Sequence, residues 1–138
     1  MWALVLCRTG GQSEVVVGAS VRNRESAGAA ALVGTLQNSL ALRIEAARGT
    51  AFAPFLAGVR RVVLEAIRHG AVPMLAVVRS LPARRHDPSV HCPLYQAFIN
   101  WFGDGSHFWQ GDQASFQQAP GSTFADLVLS AWAEDGAG

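Results

Sequence analysis

Lysine is absent from this chain: all eleven basic side chains among its 138 residues are arginine. With so much Ala, Gly and Val, that bias reads as the mark of a GC-rich gene, and no function is built on it. Charge is scarce as well. Ten acidic residues against eleven basic ones leave a net charge of +1, so bulk electrostatics give no reason to expect nucleic acid or an anionic membrane as partner. Cys7 and Cys92 are the only two cysteines; they make no disulfide framework, and no Cys/His group has zinc spacing. A reduced, cytoplasmic setting fits. The apolar opening MWALVLC is too short to cross a bilayer, has no basic leader and is followed by no cleavage-site pattern. HHxxxD, HExxH and GxSxG are all missing. Gly10 and Gly11 precede a strand rather than a helix, so they form no phosphate cradle. Asp87, Ser89 and His91 sit in one loop, where three such groups do not converge on a common centre.

What is present is apolar content of 50%, enough for the core of one domain. Trp2 to Arg8 reads as the tail of a buried helix closed by Thr9, Gly10, Gly11 and Gln12. Glu14 to Val21, nearly all apolar, reads as a strand covered on both faces. Ser26 is expected to cap a short helical turn running to Leu32. From Leu36 to Ala46 the period is two, with Leu36, Asn38, Leu40, Leu42 and Ile44 on one face. Asn38 thus lies on the apolar parity, where it either bonds to neighbouring backbone and fixes register or faces a cleft. Arg43 lies on the polar face.

The clearest helix is expected over Ala51 to His69, with Thr50 as N-cap, Pro54 in the first turn and Gly70 as the stop. Its expected apolar stripe is Phe52, Phe55, Leu56, Val59, Val62, Val63, Ala66 and Ile67. His69, at the helix end, is most simply a partner of the helix dipole. A second helix spans Val72 to Leu81, started by Pro73. After a basic loop, Pro93 leads into an interior strand carrying Gln96 and Asn100 on one face. Gly103 to Gly121 is a long connection, expected to be mobile, and Phe124 to Ala133 a final strand. The residues alone therefore give a mixed α/β piece with amides in its sheet.

Four segments, EVVVGASVRNR, VGTLQNSLALR, HGAVP and DPSVHCPLYQAFINW, occur in that order. Together they resemble the C-terminal lobe of a condensation domain from a nonribosomal peptide synthetase. The family's IGxFVNTLPLR segment is matched with Gly34, Asn38, Leu40, Leu42 and Arg43, after an Asn23-Arg24 step. Its HQDVPFE segment keeps His69, Val72 and Pro73. Its RDPSRNPLFQ segment keeps Asp87, Pro88, Ser89, Pro93, Leu94 and Gln96, with one residue inserted. DLVLSAWAEDGAG is similar to the family's DLxLxxxEDGDG strand. PLYQAFINW also resembles condensation domains of fungal polyketide–peptide synthetase hybrids. Gln37-Asn38-Ser39 stands where the family has Val-Asn-Thr, and HGAVPML lacks the Gln-Asp and Phe-Glu of the motif.

The resemblance implies an α/β fold, one lobe of the chloramphenicol-acetyltransferase-like architecture, with a mixed sheet flanked by helices and residues 1–138 forming a partial domain. It implies amide-bond formation between a carrier-bound acyl or peptidyl thioester and an aminoacyl acceptor, both on phosphopantetheine arms, with no cofactor held covalently by this chain. The catalytic histidine of that family lies in an HHxxxDG motif of the N-terminal lobe. No catalytic residue and no metal ligand are therefore expected here, and the chain by itself is expected to be inactive. Implied partners are carrier domains, the N-terminal lobe and an adjacent adenylation domain. Asn38, Gln96 and Asn100 are expected to border the substrate tunnel. Arg24, Gly34, Arg43, Pro73, Asp87, Ser89 and Pro93 are expected to be structural, the two arginines as ion-pair or carrier-facing residues. Two alternatives stay open: a degenerate lobe that only binds a carrier or another lobe, and a relative that epimerises, cyclises or forms esters.

Overall fold

The apolar run after Ser13 becomes strand β1 (Glu14–Val21), with both ends where the pattern puts them. It follows helix α1 (Trp2–Gly10), closed by Gly11 in the left-handed conformation. The alternating segment becomes β2 (Asn38–Glu45), and its buried positions are Leu40, Leu42 and Ile44. Helices α2 (Phe52–Arg68) and α3 (Met74–Ser80) follow, then strands β3 (Ala97–Asp104) and β4 (Leu127–Ala133). This computed structural model describes residues 1–24, 28–82, 92–104 and 125–133. Ser26, the basic loop with Asp87 and Ser89, residues 105–121 of the long connection, and Phe124 at the start of the expected final strand lie outside the described residues.

The sheet has the order β2-β1-β3-β4. β1 and β2 run antiparallel with Val17 opposite Leu42; β1 and β3 run parallel with Gly18 opposite Phe98, as do β3 and β4. Alternation sends successive side chains of β1 to opposite faces, and each face has its own core. On one, Val17, Leu40, Leu42 and Ile44 pack with Ala3 of α1 and Phe55 of α2. On the other, Phe98 meets Tyr95, Cys92 and Ala125, with Val16 and Met74 alongside. β1 is therefore buried from both sides, as its unbroken apolar run requires.

Three expectations are corrected. Thr50 is not the N-cap: Gly49, at φ 85°, turns the chain, and Ala51 takes the cap position with no side-chain bond. The apolar stripe of α2 is wider than its contact with the sheet. Phe55 is buried, whereas Phe52, Leu56 and Ile67 stay exposed, because a cylinder touching a sheet covers only the side chains nearest the contact line. The third correction is at β3, which runs through Gly103 to Asp104, so the connection starts later than its composition suggests. Among the described residues no helix is long and apolar enough to cross a membrane.

Gly18 has a steric reason to be glycine. A Cβ there would lie 2.3 Å from a Phe98 ring carbon and 2.6 Å from a Tyr95 ring carbon, well inside van der Waals contact. Tyr95 and Phe98 lie over this bare stretch of β1 with ring centroids 5.6 Å apart.

Candidate functional site

β1 and β3 are parallel, and ligand sites in such sheets form outside the carboxyl ends of the strands. At that end, Ser20, Arg22, Arg24, Gln37, Asn100 and Trp101 help line a cleft of about 540 Å³. The same end carries Asn38, because Val21 pairs with Asn38 across β1 and β2. Three of the four segments singled out in the sequence thus meet at one end of the sheet.

Asn38 makes its hydrogen bonds to backbone. Its Nδ2 donates to the carbonyls of Gly70 at 2.8 Å and Val72 at 2.6 Å, and its Oδ1 accepts from the Met74 N–H at 3.1 Å. That N–H opens α3, so the asparagine provides the cap that Pro73, the N-cap residue, does not. One side chain thereby fastens the α2–α3 turn, the HGAVP segment, to the first residue of β2.

Arg24 acts in the same way on a different loop. Its guanidinium donates to the carbonyls of Ala29 at 2.8 Å, Leu32 at 2.9 Å and Gly34. Arg24 is expected from the sequence to be structural, as an ion-pair or carrier-facing residue; among the described residues its partners are carbonyls and not a carboxylate, so it forms a clasp and not an ion pair. The clasped loop includes a 3₁₀ turn over Ala29–Ala31. Gly34, at φ 136°, holds a backbone conformation that side-chain-bearing residues rarely adopt. Arg43 does form an ion pair: its Nη2 is 2.6 Å from Glu14 Oε2 across the β1–β2 pair. The carboxylate holds the guanidinium proton more firmly, but both side chains are largely in water, where screening leaves such a pair little weight.

Asn100 projects from β3 on the Phe98 face, where the Ser20 hydroxyl donates to its Oδ1 at 3.2 Å. Gln96 is not beside it. It precedes β3, is exposed, and donates from Nε2 to the Cys92 carbonyl at 3.4 Å. Four residues along an extended chain span roughly 13 Å; the strand starts too late for the two amides to form one group. Gln96 instead lines a wider cavity of about 720 Å³ at the opposite end, with Gln12, Glu14 and Asp126. Pro93 follows Cys92 into the second core's covering segment, half-buried. His69 caps the end of α2 and sits 3.5 Å from Glu65, one turn back and exposed.

Sequence reasoning passed over Ser20, Ser39 and Tyr95. The Tyr95 hydroxyl is bonded to Ser39, and burial pushes its pKa up, the Ser39 bond opposing that rise. Ser39 is opposite Ser20 in the β1–β2 register, so Tyr95, Ser39, Ser20 and Asn100 run as a polar row near the carboxyl end of β1, on the face that carries the Glu14–Arg43 pair toward its other end. The signal was available: Ser20 and Gly18 share the parity of Val16 in a strand whose other face is all apolar. Among the described residues no three His, Cys, Asp or Glu side chains are grouped to hold a metal ion.

Comparison with known proteins supplies a family. A family model described as the condensation domain matches residues 1–133. Malpinin synthetase of Mortierella alpina is 32% identical over 146 residues, covering 97% of this chain and 2% of that protein. Phosphinothricin tripeptide synthetase PhsC of Streptomyces viridochromogenes is 34% identical over 100 residues, covering 72% of this chain and 9% of its own length. Among solved structures, a starter condensation domain of the rhizomide synthetase RzmA superposes with a TM-score of 0.69 at 21% identity, covering 99% of this chain and 31% of that one. The chain therefore spans a small fraction of the synthetases it matches and under a third of that solved chain.

Proposed function

The chain belongs to the condensation-domain family of nonribosomal peptide synthetases, and on that premise we propose that it is the C-terminal lobe of such a domain. In this reading the complete domain joins a carrier-bound acyl or peptidyl thioester to a carrier-bound aminoacyl amine. The amine nitrogen attacks the thioester carbonyl. A C–N bond forms, the C–S bond breaks, and the proton lost by the amine balances the departing thiolate. Holding both arms in one passage makes an encounter of two tethered groups effectively intramolecular.

The lobe's share is one wall of that passage and part of a docking surface for carrier and adenylation neighbours. Asn38 and Asn100 border the passage at the carboxyl end of the sheet, and Gln96 borders its far end. The histidine that assists the amine belongs to the other lobe. The observation that carries this reading is the meeting of three motif segments at the end of the sheet where β1 and β3 stop. The exposed Phe52, Leu56 and Ile67 on α2 supply an apolar flank of the kind that partner surfaces cover.

The test is an amide-forming assay with donor and acceptor loaded on carrier proteins. The chain alone gives no product; supplying an HHxxxDG-bearing N-terminal lobe in trans restores turnover. Turnover by the chain alone overturns the division of labour. Carrier retention without turnover in the reconstituted pair favours a lobe that only docks.

A further inference from the structure

The Ser20–Asn100 pair carries a consequence for what the cleft binds. An asparagine side chain offers a carbonyl oxygen that accepts and an amide nitrogen that donates, and which end faces a ligand is decided by what holds the other. Here the Ser20 hydroxyl donates to Oδ1 at 3.2 Å. Ser20 stands on β1 and Asn100 on the neighbouring parallel strand, one residue beyond the Ala19–Ile99 pair. Two adjacent strands therefore fix the amide, and no bond among the described residues engages its Nδ2. The surrounding cleft offers further donors in Arg22, Gln37 and the exposed Trp101, and among the described residues no carboxylate lines it.

We propose that Ser20 is a positioning residue that holds Asn100 with its Nδ2 hydrogens facing the cleft, and that this amide donates to a carbonyl oxygen of an acyl ligand. The inference rests on the cleft being part of the substrate passage and names the group recognised there. A neutral donor fixed by a neighbouring strand suits a neutral acceptor such as a thioester or amide carbonyl. Desolvating it costs less than desolvating a guanidinium, and its direction is set before the ligand arrives.

The experiment is a titration of this chain with hexanoyl-N-acetylcysteamine thioester, which carries both kinds of carbonyl, followed by the side-chain amide resonances of Asn100. On saturation these resonances move in the unaltered chain. Ser20→Ala weakens binding about three- to tenfold, the size of one oriented neutral hydrogen bond, with the melting temperature scarcely changed. Asn100→Ala weakens it to the same extent, and the double variant is no worse than either single one. Asn100→Asp, which puts an acceptor where the donor stood, weakens it more. If the Trp101 indole resonance moves while the Asn100 amide stays still, the assignment is overturned and the cleft reading survives. Absence of any binding, or Ser20→Ala binding like the parent, overturns the proposal outright; the carrier-based turnover assay then tells whether the functional reading falls with it.

Discussion

Gly18 sits under Phe98 so closely that a single added methyl group would come within 2.3 Å of the ring. Phe98 is itself 2% exposed and pinned between Tyr95 and the sheet, so the ring has nowhere to retreat. Gly18→Ala is expected to destabilise the chain by about 1–3 kcal/mol, the usual cost of overpacking a filled core. Urea unfolding measures it, and a loss below the error of the midpoint would show that the rings repack freely.

Removing the Asn38 amide strips three backbone groups of the α2–α3 turn of their partner. The Asn38→Ala chain is expected to lose about 1–3 kcal/mol. Asn38→Asp is expected to be no better, since a carboxylate oxygen would replace the Nδ2 that faces two carbonyls. The specific readout is hydrogen exchange at the Met74 amide, which speeds up in Asn38→Ala, where its acceptor is gone, while the amides of β1 keep their protection and Asn38→Asp, which retains an acceptor oxygen, exchanges more slowly there than Asn38→Ala.

Arg24 grips its loop through a planar fork that a lysine cannot imitate. Arg24→Lys should therefore resemble Arg24→Ala, both exposing residues 28–34 to limited proteolysis ahead of the rest of the chain. A lysine variant as resistant as the parent would mean that charge alone, without the fork, secures the loop.

Tyr95 is the single tyrosine of the chain, which makes its titration visible on its own. Burial raises its pKa above the ordinary value of 10.0. With a raised native pKa, the folded state holds the phenolic proton where the unfolded state has released it. The resulting stability is complete below about pH 10 and is lost as pH climbs toward the native value. Phenolate absorbance should appear only at a pH above that of a model phenol and together with unfolding. Tyr95→Phe should flatten the alkaline limb of the stability curve. Titration at the ordinary value in the folded chain would contradict the burial.

The strands and helices were legible because their signals are local. β1 and β2 are written in runs and alternations that need no knowledge of neighbours, and α2 in a period of 3.6. What failed depended on tertiary placement. How much of the α2 stripe is covered is set by where the helix touches β2, which leaves Leu56 and Ile67 in water. Gln96 and Asn100 share a parity in the sequence, yet β3 begins only at Ala97, and the turn before it sends Gln96 back to Cys92. For Arg24 the sequence leaves ion-pair and carrier-facing roles open; the partners that the loop offers are carbonyls. Asn38 was legible as a polar group in an apolar row, but its three partners lie more than thirty residues away, on a turn whose position only the fold decides.

The order β2-β1-β3-β4 leaves two strands at the rims of the described sheet, and they differ in how they meet a stray strand. β2 carries Arg43 and Glu45 on its exposed positions, charges that discourage another strand from zipping on. β4, reading LVLSAWA, has neither charge nor proline. Among the described residues that rim is the less guarded of the two, the edge on which an unfolded neighbour, or a second copy during synthesis, meets least opposition. One acidic or lysine substitution at the exposed Leu127 is the cheapest way to keep concentrated material in solution.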